Sequence, residues 1–170
     1  MIAELGLAAL WLAAALAALQ LVTGALAVRQ DAGTGEAAIA DLTRPATVVQ
    51  GILAALSFAA LLYVFAVTDL SVKLVADNSH SLKPMIFKLS GAWGNHEGSM
   101  LLWVTVLAAS GALIALVERR LPERTMQAVL ASQGFVALGF YAFLLLSSNP
   151  FERLPIPVEE GAGLNPLLQD

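Results

Sequence analysis

Four stretches of this chain carry no Asp, Glu, Lys or Arg: Leu5–Val28, Pro45–Thr68, Gly98–Val117 and Thr125–Phe151. They run for 24, 24, 20 and 27 residues, so 95 of 170 positions lie in uncharged sequence. About 20 consecutive apolar residues in a helix cross the hydrocarbon layer of a bilayer. Four such runs exclude a water-soluble domain and describe an integral membrane protein. Backbone groups in lipid must find partners within the protein, which leaves helices or a closed barrel. Barrel strands alternate over about ten residues, and these Ala- and Leu-rich runs do not alternate. The expected fold class is therefore all-α: a polytopic membrane protein with four transmembrane helices near 5–28, 46–68, 99–117 and 126–148. A long loop, 69–98, joins the second and third, giving a transmembrane region over 1–151. The tail 152–170, with Pro155, Pro157 and Pro166, has no fixed fold expected by itself.

The first run contains Ala25-Leu26-Ala27, a small-x-small pattern like a signal-peptidase site. Its start carries Glu4 and neither Lys nor Arg, and 24 residues exceed a signal core of about 7–15. The expectation is a first spanning helix that is retained.

Charge narrows the function classes. Thirteen acids against nine bases give −4, so there is no basic surface for nucleic acid. The chain has no cysteine, which excludes a disulfide framework, a thiolate nucleophile, thiolate-held metal and a C-x-x-C-H haem-attachment motif. Positive residues beside membrane helices favour the cytoplasm. The link Glu118–Arg124 holds Arg119, Arg120 and Arg124, the densest basic cluster, and the link Arg29–Arg44 holds two more arginines. Lys73, Lys83, Lys88 and Arg153 lie on the other side. This balance places both termini and the 69–98 loop outside the cytoplasm. Tyr63, Phe65, Tyr141 and Phe143 near the outer helix ends match an interfacial belt of aromatic residues.

Within the spans, Gln20, Thr23 and Gly24 in the first and Ser132, Gln133 and Gly134 in the fourth are polar or small. A glutamine in lipid needs a partner, so these residues are expected to face other helices, as packing contacts or as the lining of a cavity. No ionisable residue lies inside the spans to form a proton relay or ion path, which argues against a transporter or ion pump.

The loop holds both histidines, His80 and His96, together with three lysines, Trp93 and a glycine-rich close, Ser90–Ser99. It mixes apolar and charged residues, the composition of a segment lying along the membrane surface. The histidines stand 16 positions apart, without metal-site spacing. Two readings fit its last part. Gly94–Ser99 is either the start of the third helix, with Ser99 as cap and Glu97 at its positive end, or a glycine-shaped surface presenting Trp93, His96 and Glu97 to something outside. On the first reading Trp93 and Trp103 are interfacial anchors.

Asn78-Ser79-His80-Ser81, Lys83-Pro84, Phe87-Lys88 and above all Trp93-Gly94-Asn95-His96-Glu97-Gly98-Ser99-Met100-Leu101-Leu102-Trp103 resemble the N-terminal part of the CcmF family, the membrane subunit of the cytochrome c haem lyase. Ser148-Asn149-Pro150-Phe151 and Leu164–Asp170 are similar to that family's next outer segment, so the likeness runs in order from Met1 to Asp170. The resemblance implies a role outside the bacterial cytoplasmic (inner) membrane: taking haem from a haem chaperone and attaching its vinyl groups to the two thiols of apocytochrome c. It implies haem as cofactor, and the chaperone, other lyase subunits, apocytochrome c and the lipid bilayer as partners. Trp93, Gly94, His96, Glu97 and Gly98 would then form a haem- or partner-facing loop.

Family members are several times longer. The histidines they use as haem ligands, and their Trp-rich outer segment, are expected beyond Asp170. Neither His80 nor His96 corresponds to those ligands, so the resemblance carries over no haem ligand, no metal ligand and no catalytic residue. The expectation is a part of a lyase rather than a complete one: a truncated product, an incomplete gene, or one piece of a lyase encoded in parts. The alternative is a scaffold subunit that packs against a partner and never touches haem.

Overall fold

The computed structural model describes residues 1–29, 41–156 and 158–162. Among the described residues six helices follow in order: α1 (Ile2–Arg29), α2 (Thr43–Ala66), α3 (Lys73–Asn78), α4 (Met85–Gly91), α5 (His96–Val117) and α6 (Glu123–Leu146). The chain is an all-α, polytopic membrane protein, with α1, α2, α5 and α6 each long and apolar enough to cross a bilayer. Alanine and leucine, the strongest helix formers, dominate all four. The Asn165-Pro166 part of the family likeness lies outside the described residues.

The four long helices form an antiparallel bundle in the cyclic order α1, α2, α5, α6. Contacts near their ends fix the directions. Ser57, late in α2, donates to the Gly6 carbonyl early in α1 at 2.9 Å. Arg44, early in α2, donates to the Ala115 carbonyl late in α5 at 3.2 Å. A Cβ on Gly24, late in α1, would stand 2.9 Å from Ala131 Cβ, so the α1–α6 seam closes to a distance that only glycine permits there. Apolar attraction does little between helices in lipid, and close backbone approach with interhelical hydrogen bonds replaces it.

The polar residues expected to face other helices mostly do so. Gln20 is fully buried and its amide donates to the Leu130 carbonyl at 2.6 Å and to Gln133 Oε1. Gln133 in turn donates to the Leu107 carbonyl at 3.2 Å, so one chain of amides ties α1 to α6 and α6 to α5. Thr43 donates to Thr23 at 2.9 Å, joining α2 to α1. Ser132 is the exception: it is exposed, and its hydroxyl turns back to the Ala128 carbonyl of its own helix at 2.8 Å. Ser132 stands two positions, about 200° around the helix, from Gly134, and so faces away from the α1 seam that Gly134 lines.

The aromatic belt is half of what the sequence suggests. Tyr63 and Phe143 are exposed, but Phe65 and Tyr141 are fully buried. Gln50 donates to the Tyr141 hydroxyl at 3.3 Å inside the bundle, giving that hydroxyl a partner away from water. Phe65 is covered by α4, whose Gly91 lies against its ring.

The two ends of the bundle differ. At one, Arg44 donates to the Ala115 and Glu118 carbonyls and pairs with Glu123 at 3.2 Å, placing a cation on the C-terminal carbonyls of α5. The other, here called the capped end, carries α3, α4 and residues 147–156 and 158–162. Val72 and Arg153 form an antiparallel bridge there. The Lys73 amide donates to the Glu152 carbonyl and the Leu154 amide to the Ser71 carbonyl, both at 2.9 Å. Farther along, the Ala162 amide reaches the Ala76 carbonyl at 2.7 Å.

Candidate functional site

The motif residues sit at the capped end, where α4 turns into α5. Ala92 is buried below the turn, and the Trp93 and Gly94 amides both donate to the Ser90 carbonyl, at 3.3 and 3.0 Å. The chain therefore leaves α4 through a tight overwound turn. Asn95 starts α5: its backbone is extended, its Oδ1 accepts the Gly98 amide at 2.7 Å, and its Nδ2 donates to the Gly91 carbonyl at 2.6 Å. One side chain thus caps the new helix and ties it to the end of the old one.

This corrects the expected cap. Ser99 lies inside the first turn of α5, and its hydroxyl donates to the His96 carbonyl at 2.9 Å. Asparagine is as good an N-cap as serine, and the helix begins three residues before Ser99, at His96. Glu97 does fall in that first turn, where a carboxylate is favoured by the unpaired amides of the helix start.

The five candidate residues occupy one turn but play different parts. Trp93 and His96 are exposed, Gly94 and Glu97 half-buried, and Gly98 buried. The His96 ring stands edge-on to Phe143 of α6, with centroids 5.5 Å apart at 74°. Its Nδ1 lies 3.5 Å from the Ser148 hydroxyl. Gly98 contributes no surface: it sits where any side chain would run into the Ala92 carbonyl. Sequence reading missed Asn95, Phe143 and Ser148. The pattern S/T/D/N before a helix start does mark Asn95, whereas nothing local signals a ring contact made across 47 positions.

The neighbouring electrostatics are set by Arg153. Its Nε donates to Glu4 at 2.9 Å and its guanidinium pairs with Asp69 at 3.2 Å, with Ser71 also in hydrogen-bond contact. Partial burial opposes ionisation of Asp69, but hydrogen bonds from Ser71 and the charge of Arg153 outweigh it and lower its pKa. Lys73 pairs with Glu152 at 3.2 Å, which raises the lysine pKa. The Ser81 hydroxyl and amide and the Gly161 amide donate to the Glu160 carboxylate and hold it down at about 2.

His80 and His96 do not converge on a shared ligand. His80 Nδ1 accepts the Leu82 amide at 3.2 Å and faces Glu160 at 3.9 Å, whereas His96 is taken up by Phe143 and Ser148. A haem held through paired axial histidines does not fit this arrangement. What the turn does offer is an exposed indole and imidazole on a rigid, capped helix start.

Curated relatives match along the whole of this chain. The cytochrome c-type biogenesis protein CycK of Rhizobium meliloti is 49% identical over 170 residues, covering 100% of this chain and 25% of the relative. In sequence the chain is similar to the N-terminal quarter of CcmF/CycK proteins. The cytochrome c-type biogenesis protein ccl1 of Rhodobacter capsulatus is 48% identical over 170 residues, with the same shares of 100% and 25%. CcmF of Haemophilus influenzae is 42% identical over 174 residues, 100% of this chain and 26% of the relative. Among solved structures, a cytochrome c heme lyase CcmF superposes with a TM-score of 0.81 at 28% identity, covering 89% of this chain and 25% of the other. No protein-family model matches the chain. The chain thus spans about a quarter of the length of the CcmF/CycK relatives it matches.

Proposed function

We propose that the chain is the N-terminal membrane module of a cytochrome c haem lyase, taking part in haem delivery and covalent haem attachment to apocytochrome c. The observation that carries this is the coincidence of family and geometry. The stretch most typical of the CcmF family, Trp93–Trp103, is the one that the fold holds rigid at the capped end with Trp93 and His96 exposed. On this reading the capped end, both termini and loop 69–98 face the periplasm, consistent with the arginines at the opposite end. Trp93, Gly94, His96 and Glu97 form a surface toward a haem chaperone, apocytochrome c or the remaining lyase polypeptide, and Gly98 keeps that surface in place. Haem supplies the vinyl groups that become thioether bonds; iron ligation is left to residues outside this chain.

The test is maturation of c-type cytochromes by the assembled system carrying Trp93→Ala or His96→Ala, with chain levels checked by immunoblot. Loss of holocytochrome at normal chain level is expected. Wild-type maturation in both variants overturns the contact role and leaves a scaffold that touches neither haem nor its carriers.

A further inference from the structure

The cations of the capped end fall into two kinds. Arg153 and Lys73 are each engaged by carboxylates, with Glu4, Asp69 and Glu152 as partners. Lys83 and Lys88 have no carboxylate partner among the described residues, although Lys83 donates to the Asn78 carbonyl at 3.4 Å. These two lysines flank the bare apolar side chains of Met85, Ile86 and Phe87, with Leu82 just before Lys83. Leu82 is 87% exposed, Ile86 72%, Met85 54% and Phe87 49%.

In water that run is a liability: three adjacent bulky side chains on a seven-residue helix with only Gly91 buried, and Leu82 just before it. The helix is fixed in place all the same. Gly91 lies against the Phe65 ring at the end of α2 and against the Asn78 carbonyl, and Asn95 bonds to its carbonyl. That position sets α4 beside the end of α2, where Tyr63 is exposed on a helix that crosses the bilayer and Val67 is exposed just after it. The apolar run therefore continues the lipid-facing belt past the end of the span.

We propose that Leu82–Lys88 lies in the phospholipid headgroup region of the bilayer the protein spans, with Leu82, Met85, Ile86 and Phe87 in the outer acyl layer and Lys83 and Lys88 on lipid phosphates. Apolar side chains flanked by unpaired cations are the surface that anionic bilayers retain. This anchor fixes the height of the Trp93–Gly98 turn relative to the membrane, because α4 leads directly into it. The inference rests only on α1, α2, α5 and α6 spanning a bilayer and is independent of the haem-lyase reading.

The absence of cysteine makes the test direct. Spin labels are placed singly at Ile86→Cys, at Asp77→Cys on the exposed side of α3, and at Trp103→Cys on the lipid-facing side of α5. The full chain is then reconstituted in phosphatidylcholine and in phosphatidylglycerol bilayers. Collision with dissolved oxygen, which concentrates in lipid, is compared with collision with a water-soluble nickel chelate. The label at residue 86 is expected to behave like that at 103, with oxygen favoured several-fold over nickel, and to lie deeper in phosphatidylglycerol. Lys83→Gln with Lys88→Gln is expected to abolish that extra depth. A label at residue 86 as open to nickel as that at 77 overturns the immersion, and unchanged depth in Lys83→Gln with Lys88→Gln overturns the phosphate contact.

Discussion

A Cβ on Gly98 would stand 1.7 Å from the carbonyl oxygen of Ala92. No rotamer change relieves that contact, because both partners are main chain. The closeness has a purpose in the fold: it lets the Gly98 amide reach Asn95 Oδ1 at 2.7 Å while Asn95 Nδ2 holds the Gly91 carbonyl. Gly98→Ala must therefore push α5 away from the turn. The expected cost is about 3 kcal/mol, the upper range for overpacking a close contact. A lowered melting temperature in detergent, with faster proteolysis between Lys88 and the start of α5, would report it. Asn95→Ala should cost about 1 kcal/mol through the lost cap, and Asn95→Asp should keep the cap while losing the bond to Gly91.

Arg153 joins the segment after α6 to both the start of α1 and the segment after α2. Its partners Glu4 and Asp69 lie 149 and 84 positions away in sequence. The side chain is 34% exposed, so solvent screens these pairs and the contribution is about 1 kcal/mol. Arg153→Gln should leave the bundle intact and loosen what it holds. Hydrogen exchange at residues 152–156 and at Ser71 is expected to speed up, with exchange in α5 and α6 unchanged. High salt should produce part of the same effect in the unaltered protein.

Glu160 gives the capped end an acid-sensitive latch. Donors from Ser81 and Gly161 stabilise the ionised carboxylate and lower its pKa from 4.5 to about 2. A carboxyl group whose folded pKa is depressed contributes fully above its unfolded value and loses that contribution as the pH falls toward the folded value. The link between residue 160 and Ser81 should therefore be intact above pH 4.5 and weaken progressively down to about 2. The Ser81 amide, which donates to Glu160 at 3.0 Å, is the reporter. Its hydrogen exchange, corrected for the intrinsic rate, should rise across that window, and Glu160→Gln should remove the pH dependence.

The bundle was legible because its signal is local: an uncharged run of about 20 residues determines a span wherever the rest of the chain goes. Gln20, Thr23, Gly24, Gln133 and Gly134 were legible for a related reason, since polar or small residues in lipid have few places to be other than a seam. Ser132 was misread because the sequence shows a polar residue but not its angle around the helix, and a serine can satisfy itself on its own backbone at Ala128. Phe65 and Tyr141 carry the composition of an interfacial belt and are buried instead, since α4 covers the one and Gln50 reaches the other. The motif around Trp93 showed where the exposed chemistry lies. Its contacts with Phe143 and Ser148 were invisible, because each is made between segments that only the folded bundle brings together.

Thr68 is the one described residue other than glycine with a positive φ, at 54°. It ends α2: its amide donates to the Phe65 carbonyl at 3.1 Å, and the next amide, Asp69, donates to the Val64 carbonyl at 2.9 Å. That pair of bonds closes a helix in the way glycine usually does. A β-branched residue there pays about 1–2 kcal/mol in steric strain, and the buried Thr68 hydroxyl has no hydrogen-bond partner. Thr68→Gly removes both penalties, offset by the greater freedom of glycine in the unfolded chain. The net expectation is a stabilisation of about 1 kcal/mol, read as a higher melting temperature in detergent. Thr68→Val is the control: it keeps the strain and removes only the unpartnered hydroxyl, so it should gain less than glycine. If glycine instead destabilises the protein, the threonine is held by packing that outweighs its backbone strain.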